Sequence, residues 1–148
     1  MTDCRDVILI LEDSPKRLAL MRKALDSLPG QIEVRHWDNA WAMQKEAAQW
    51  LPQTCLISLD SDLSNSPVGN PGDGMDAVQM LNWHKPVCPV IVHTSLSEDG
   101  RKMAQALRGG GWRVEQVIFN TREALADWLY AVEELTGHFG ADSSSDVE

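Results

Sequence analysis

The chain is short of cysteine, short of basic residues and without a long hydrophobic run, and each shortage removes a class of protein. Only three cysteines, Cys4, Cys55 and Cys88, occur in 148 residues. They cannot all pair and none has CxxC spacing, which points away from a disulfide scaffold and toward a reducing, cytosolic compartment. Basic residues number 13 against 22 acidic ones, a net charge of −9. A surface of that sign repels nucleic acid and anionic membranes, so neither is expected as a partner. The longest apolar run near the N-terminus is "VILIL", too short for the core of a signal peptide or for a membrane span. A cytoplasmic location is the expectation. No internal repeat and no interior linker divides the chain, so it reads as one domain with enough apolar content, 43%, for a real core.

What is present is an alternation of strands and helices. Val7 to Leu11 is a continuous apolar run of the kind buried on both faces of a sheet. Ser14 can cap a helix whose first turn holds Pro15, with Leu18, Met21, Leu25 and Leu28 at helical spacing before Pro29 and Gly30 stop it. "IEVRHW" (32–37) alternates as a strand nearer a sheet edge, and Asp38 or Asn39 caps a second helix expected to reach about Leu51. "TCLISL" (54–59) is a second buried strand, 61–74 a long loop, and a helix is expected from near Gly74. "PVIVH" (89–93) is the next strand, followed by Ser95 and Glu98 at capping-box spacing and a helix with Met103 and Leu107. "VEQVIF" (114–119) is the last strand. Asn120 or Thr121 is expected to cap a last helix bearing Leu125, Trp128, Leu129, Val132 and Leu135 on one stripe. The folded domain is expected to span 1–137, and "GADSSSDVE" with the residues before it, 138–148, reads as a disordered acidic tail. Five strands alternating with five helices predict an α/β sandwich around a parallel sheet.

In such sheets functional groups gather beyond the carboxyl ends of the strands. Glu12 and Asp13 follow the first strand, Asp60 and Asp62 the third, and His93, Thr94 and Ser95 close the fourth. Acidic residues after strands also cap helices, and Asp13 or Ser14 could do only that. Asp60, however, is followed by a loop. Four carboxylates on one rim raise one another's pKa unless a cation intervenes, and a hard, oxygen-seeking ion such as Mg²⁺ is suited to the task. A carboxylate beside such an ion can attack phosphorus, and the hydroxyl of Thr94 or Ser95 could bond a phosphoryl oxygen. Of the six tryptophans, Trp128 is expected in the core, and core packing is favoured over base stacking for Trp83 and Trp112.

Residues 6–135 resemble the receiver (CheY-like) domain of bacterial response regulators. "VILILEDSPKRLALMRKAL" is similar to the opening strand, acidic pair and first helix, "CLISLD" to the strand ending in the phosphoacceptor, "GDGMDAVQML" to the Asp-Gly opening the third helix, and "PVIVHTS" to the strand ending in the switch hydroxyl. The resemblance implies a flavodoxin-like three-layer sandwich with sheet order 2-1-3-4-5. It also implies Mg²⁺ held by Glu12, Asp13 and Asp60, phosphorylation at Asp60, sensing by Thr94, and a phosphodonor protein as partner.

The sequence departs from that family in lacking a lysine after the fifth strand, where "VIFNTRE" stands. Arg122 is the nearest base and is expected inside the last helix. The loop before Asp73 and Gly74 is also long. "LDSDL", "HTS", "DGRKM" and "GGW" resemble instead the receiver variants predicted to process cyclic phosphates. There the third strand typically runs into Leu-Asp-His-Asp-Leu; here Ser61 stands in place of the histidine, and His93 is the candidate substitute as acid or base, with Asp60 and Asp62 beside it. Three functions follow: a Mg²⁺ pocket that binds and processes a phosphate-containing small molecule, a phosphoaspartate switch, or a receiver that only binds another protein. Receiver-like domains also pair as homodimers through the last strand and helix, where Trp128 and Tyr130 are the hints.

Overall fold

In a computed structural model, which describes residues 6–137, five strands form one parallel sheet in the order β2-β1-β3-β4-β5. The chain runs β1 (Val7–Leu11), α1 (Pro15–Leu25), β2 (Glu33–Trp37), α2 (Ala40–Glu46), β3 (Thr54–Leu59), α3 (Gly74–Leu81), β4 (Val90–Thr94), α4 (Ser97–Gly109), β5 (Val114–Ile118) and α5 (Ala124–Thr136). The expected flavodoxin-like sandwich is thus the observed one. The expected tail, 138–148, and Cys4 lie outside the described residues. Among the described residues no helix is long and apolar enough to cross a membrane.

Period-2 alternation along each strand divides the core into two layers. Ile8, Ile10, Leu56, Ile91 and Val117 pack with Met21 and Leu25 of α1 and Trp128, Val132 and Leu135 of α5. Val7, Leu9, Leu11, Ile57, Leu59, Val90 and Val92 face α2, α3 and α4, where Met43, Val78, Leu81, Met103 and Leu107 close the other layer. Strand order reverses between β1 and β3, so the crevice at the carboxyl end of the sheet opens between those two strands. Residues that leave β1 and β3 are therefore the ones placed to meet a ligand.

Local chemistry explains several boundaries. The Ser14 hydroxyl accepts from the Arg17 amide and caps α1, with Pro15 in the first turn. Asn39 caps α2, but that helix ends at Glu46 rather than near Leu51. Two 3₁₀ turns, Ala47–Gln49 and Leu51–Gln53, replace its last part, because Pro52 disfavours helical geometry in the residue before it. Neither Ser95 nor Asn120 nor Thr121 caps a helix. β4 runs on through Thr94, whose hydroxyl accepts from the Leu96 amide, and α4 starts at Ser97. Asn120 to Glu123 form a turn instead, and α5 starts at Ala124 after Glu123; Arg122 accordingly precedes the helix. Trp128 is fully buried, which withdraws it from any pairing surface, while Tyr130 is exposed. Trp112 is buried and Trp83 is 86% exposed.

The long loop between β3 and α3 is tied to the body. Leu63 is buried in the core, and Pro71 O accepts from the Ala40 amide while Asn70 O accepts from Trp41 Nε1. Gly72 turns there with φ +70°, against Ala40 and Trp41. Asp73 and Asp76 form a capping box that opens α3. At the first residue of that helix, Gly74 donates its amide to Ser61 O, 2.9 Å, and any Cβ there would overlap the Asp60 carbonyl oxygen and the tip of Met103. The glycine is what lets α3 approach the residue at the centre of the crevice. Gly74→Ala is expected to lower stability by about 1–3 kcal/mol, as overpacking against backbone does, with a lower urea midpoint at unchanged slope as the measurement.

Candidate metal centre

β1 and β3 carry the acids to one place because the hydrogen-bond ladder continues past both strands. Glu12 N donates to Trp37 O and Asp60 N to Leu11 O, each at 3.0 Å. Alternation then puts Glu12, Ser58, Asp60 and His93 on the side of the sheet covered by α1 and α5, as for Ile8, Ile10, Leu56 and Ile91. Glu12, Asp13, Asp60, His93 and Thr94 are all buried. Among the described residues, Glu12, Asp60 and His93 each offer one ligand atom, and these atoms lie within 4.8 Å of one another.

Ser58 and His93 are polar side chains inside an otherwise apolar layer, so their hydrogen bonds must be complete. Trp128 Nε1 lies 2.9 Å from Ser58 Oγ, Ser58 Oγ 2.6 Å from His93 Nδ1, and His93 Nε2 2.9 Å from Glu12 Oε1. An indole nitrogen only donates and an ionised carboxylate only accepts. Two directions are fixed by the end groups: Trp128 donates to Ser58 Oγ, and His93 Nε2 donates to Glu12, while Ser58 Oγ and His93 Nδ1 share the hydrogen bond between them. The second carboxylate oxygen of Glu12 accepts from the Ser14 amide at 3.0 Å.

The electrostatics distinguish the three acids. Burial works against charge on Glu12, but the hydrogen bond from His93, the Ser14 amide and the Arg17 guanidinium overcome it and hold its pKa below the usual value. Burial raises Asp13, helped by the charge of Glu12, although its Oδ2 accepts from the Asn65 amide at 2.6 Å. Asp60 is pushed up to about 8, first by burial and then by the charges of Glu12 and Asp13. Arg17 and a 3.4 Å bond from the Asp62 amide to Oδ1 only partly offset this. A carboxyl left protonated at neutral pH by its neighbours is one that a divalent cation would ionise. Two carboxylates within reach suit Mg²⁺, and an added imidazole nitrogen would suit Mn²⁺, so the donor set fits a divalent ion.

The remaining expected residues are placed as follows. Asp13 belongs to the acidic cluster electrostatically while its carboxylate anchors the long loop at Asn65. Asp62 is exposed, and its Oδ1 accepts from the Ser64 amide at 2.9 Å. Thr94 Oγ1 lies 2.6 Å from Ser61 Oγ, and Ser95 is exposed. Ser61, in the place of the histidine that the cyclic-phosphate variants carry, thus holds the Thr94 hydroxyl.

Sequence reasoning passed over Arg17, and here it supplies the cation that the fifth strand lacks. Its NH1 lies 3.5 Å from Glu12 Oε1 and 3.7 Å from Asp60 Oδ2, and its guanidinium sits 5.1 Å from the centre of the Phe119 ring. The signal was its spacing: three residues after the Ser14 cap, a side chain leaning back toward the helix N-terminus returns to the acidic pair.

The Asp60 shift fixes a pH dependence. Its pKa is higher in the folded than in the unfolded chain, so its stabilising contribution is complete below about pH 4 and is lost as pH rises through about 8. Without metal the protein is expected to lose stability as pH rises from about 4 to about 8, by on the order of a few kcal/mol. Asp60→Asn should remove that slope. Denaturant melts of both proteins across this range are the check, and an identical slope in the two would contradict the assignment.

No protein-family model matches the chain, and neither does any curated protein. Solved structures do. The response regulator domain of Thermotoga maritima CheB is 19% identical with a TM-score of 0.64, over 90% of this chain and 97% of that one. The Mn²⁺-bound form of response regulator Rcp1 is 19% identical with a TM-score of 0.65, over 91% and 98%. The receiver domain of RcsB from Salmonella enterica serovar Typhimurium, solved with the phosphomimetic BeF₃⁻, is 20% identical with a TM-score of 0.60, over 95% and 96%. At such identities the likeness concerns architecture, and the chain has the fold of response-regulator receiver domains.

Proposed function

We propose that this chain is a receiver-fold module that binds a divalent cation through Glu12 and Asp60 and, beside it, the phosphate group of a ligand, with cyclic phosphate esters as the ligand class. The observation that carries this reading is the convergence of buried acids at the β1/β3 crevice, with Asp60 pushed up to about 8 by burial and then by the charges of Glu12 and Asp13. Mg²⁺ is the expected ion if His93 keeps its bond to Glu12. If Nε2 instead gives up its proton and its bond to Glu12 and ligates the ion, Mn²⁺ is favoured. A bound ion would polarise phosphoryl oxygens as a Lewis acid.

The chain's own residues divide the remaining work. Asp60, next to the ion and to the crevice, is the ligand and the group able to face phosphorus. Glu12 is the second ligand, held in orientation by His93, Ser58 and Trp128, as outer partners hold metal ligands elsewhere. His93 is enclosed with both ring nitrogens engaged, so its part is to position Glu12 rather than to exchange protons with a ligand. Asp13 adds negative charge and secures the loop. Thr94, released from Ser61, can donate to a phosphoryl oxygen, and Asp62 and Ser95 border the entrance. The preference for cyclic esters rests on the "LDSDL" and "HTS" resemblance.

A second reading has its own support. The Thr94 hydroxyl lies beside Ser61, one residue from Asp60, while Thr94 O accepts from the Phe119 amide at 2.9 Å. Were Asp60 to accept a phosphoryl group from a phosphodonor, movement of Thr94 would reach β5 directly, as a switch requires.

Three measurements on one preparation separate the readings. Millimolar Mg²⁺ or Mn²⁺ is expected to raise the melting temperature at pH 8 by several degrees, an effect absent in Asp60→Asn and weakened in Glu12→Gln. Incubation with 2′,3′-cyclic AMP and Mg²⁺ should give the ring-opened monophosphate only with intact Asp60. A stable phosphoryl adduct on Asp60 after treatment with acetyl phosphate would favour the switch instead. Failure of both metals to bind would leave only an interaction module.

A further inference from the structure

The cleft between α1 and the β5–α5 turn has no part in holding the metal, yet Arg17 in its wall pairs with the same acids. Its volume is about 340 Å³, and it is lined by Lys16, Arg17, Leu20, Phe119, Arg122 and Leu125, with small residues between them. Three of the 13 basic residues of an acidic chain meet there, with no carboxylate in the lining. The opposite part of the lining is apolar: Leu20, Phe119 and Leu125.

Arg17 joins this cleft to the acidic crevice. Its side chain is 28% exposed, and one nitrogen faces Glu12 and Asp60. Phe119 fixes the guanidinium plane from below at 5.1 Å, an arrangement that costs little further side-chain entropy when a ligand binds. A guanidinium has five N–H donors in a fork. Two carboxylates at 3.5 and 3.7 Å are ion pairs longer than good hydrogen bonds, so donors remain for an anion on the cleft side.

We propose that this cleft is the subsite for the body of a small organic phosphate. Its phosphate takes the Arg17 donors left on the cleft side, Lys16 and Arg122 add positive charge, and an apolar or flat substituent rests against Leu20, Phe119 and Leu125. The proposal rests on the phosphate-binding reading above and adds to it which part of the ligand sits where. It also accounts for Arg17 as an anion-holding group rather than merely a partner for buried acids. A phosphate with no substituent fills only the charged half of the cleft and should bind more weakly than one that carries a ring.

The test uses phenyl phosphate and inorganic phosphate as probes, titrated calorimetrically into the whole chain with saturating Mg²⁺. Phenyl phosphate is expected to bind at least five-fold more tightly than inorganic phosphate. Arg17→Ala should weaken both at least ten-fold, with partial recovery in Arg17→Lys. Leu125→Gln, at a half-buried position, should remove the preference for phenyl phosphate and leave inorganic phosphate unchanged; this variant and Arg122→Ala, at an exposed position, keep the test open if Arg17→Ala does not fold. Equal affinities for the two probes, or affinities indifferent to Arg17 and Leu125 in protein that still binds Mg²⁺, would overturn the subsite and leave the metal reading standing. Loss of Mg²⁺ binding in the unaltered protein, with phenyl phosphate still held through Arg17, would overturn the metal reading and keep the subsite.

Discussion

Repulsion among three carboxylates in a poorly solvated crevice governs this molecule. Glu12, Asp13 and Asp60 are each buried where two parallel strands diverge, and only Arg17 among the described residues stands near enough to two of them to form ion pairs. One positive charge does not balance three negative ones. The imbalance shows as opposite responses: Glu12 stays ionised because His93 and Arg17 serve it first, while Asp60 is driven toward the protonated form. A site built this way costs folding energy, a cost that a bound divalent cation would offset.

The rest of the architecture supports those positions. β1 is buried along its whole length, so Glu12 emerges from a rigid strand. Gly74 lets α3 close over the Asp60 backbone, and Asn65 holds Asp13 from the long loop. The buried line from Trp128 through Ser58 and His93 to Glu12 crosses the whole α1/α5 layer. It ties the last helix to Glu12, so the orientation of that carboxylate depends on α5 packing as well as on β1.

Much of this was legible in the residues. Mostly apolar runs at 7–11, 54–59 and 90–92 read as central strands, and parallel strands deliver whatever follows them to one rim; that is why Glu12, Asp13 and Asp60 could be grouped before any coordinates. Caps were less legible. Ser95 has capping-box spacing, yet β4 gained one more residue of pairing and moved the start of α4 past it. The capacity of α2 to continue was judged from composition, whereas Pro52 tightens the chain before it. Arg17 and Ser58 went unnoticed because their roles depend on which elements stand opposite. A lone serine in an apolar strand has no visible partner until α5 brings Trp128 over it, and Arg17 reads as one more helical surface charge until Phe119 is placed beneath it.

The central claim is that Asp60 is an acid kept from ionising by burial and by its charged neighbours, and that a cation would free it to ionise. Carbon-13 NMR of the aspartate side-chain carboxyl groups, with Asp60 assigned by its loss in Asp60→Asn, reports that ionisation directly. The account requires an apparent pKa near 8 in metal-free protein, falling below neutrality in saturating Mg²⁺ or Mn²⁺. A midpoint near the ordinary value of about 4 without metal, unchanged when metal is added, would contradict it.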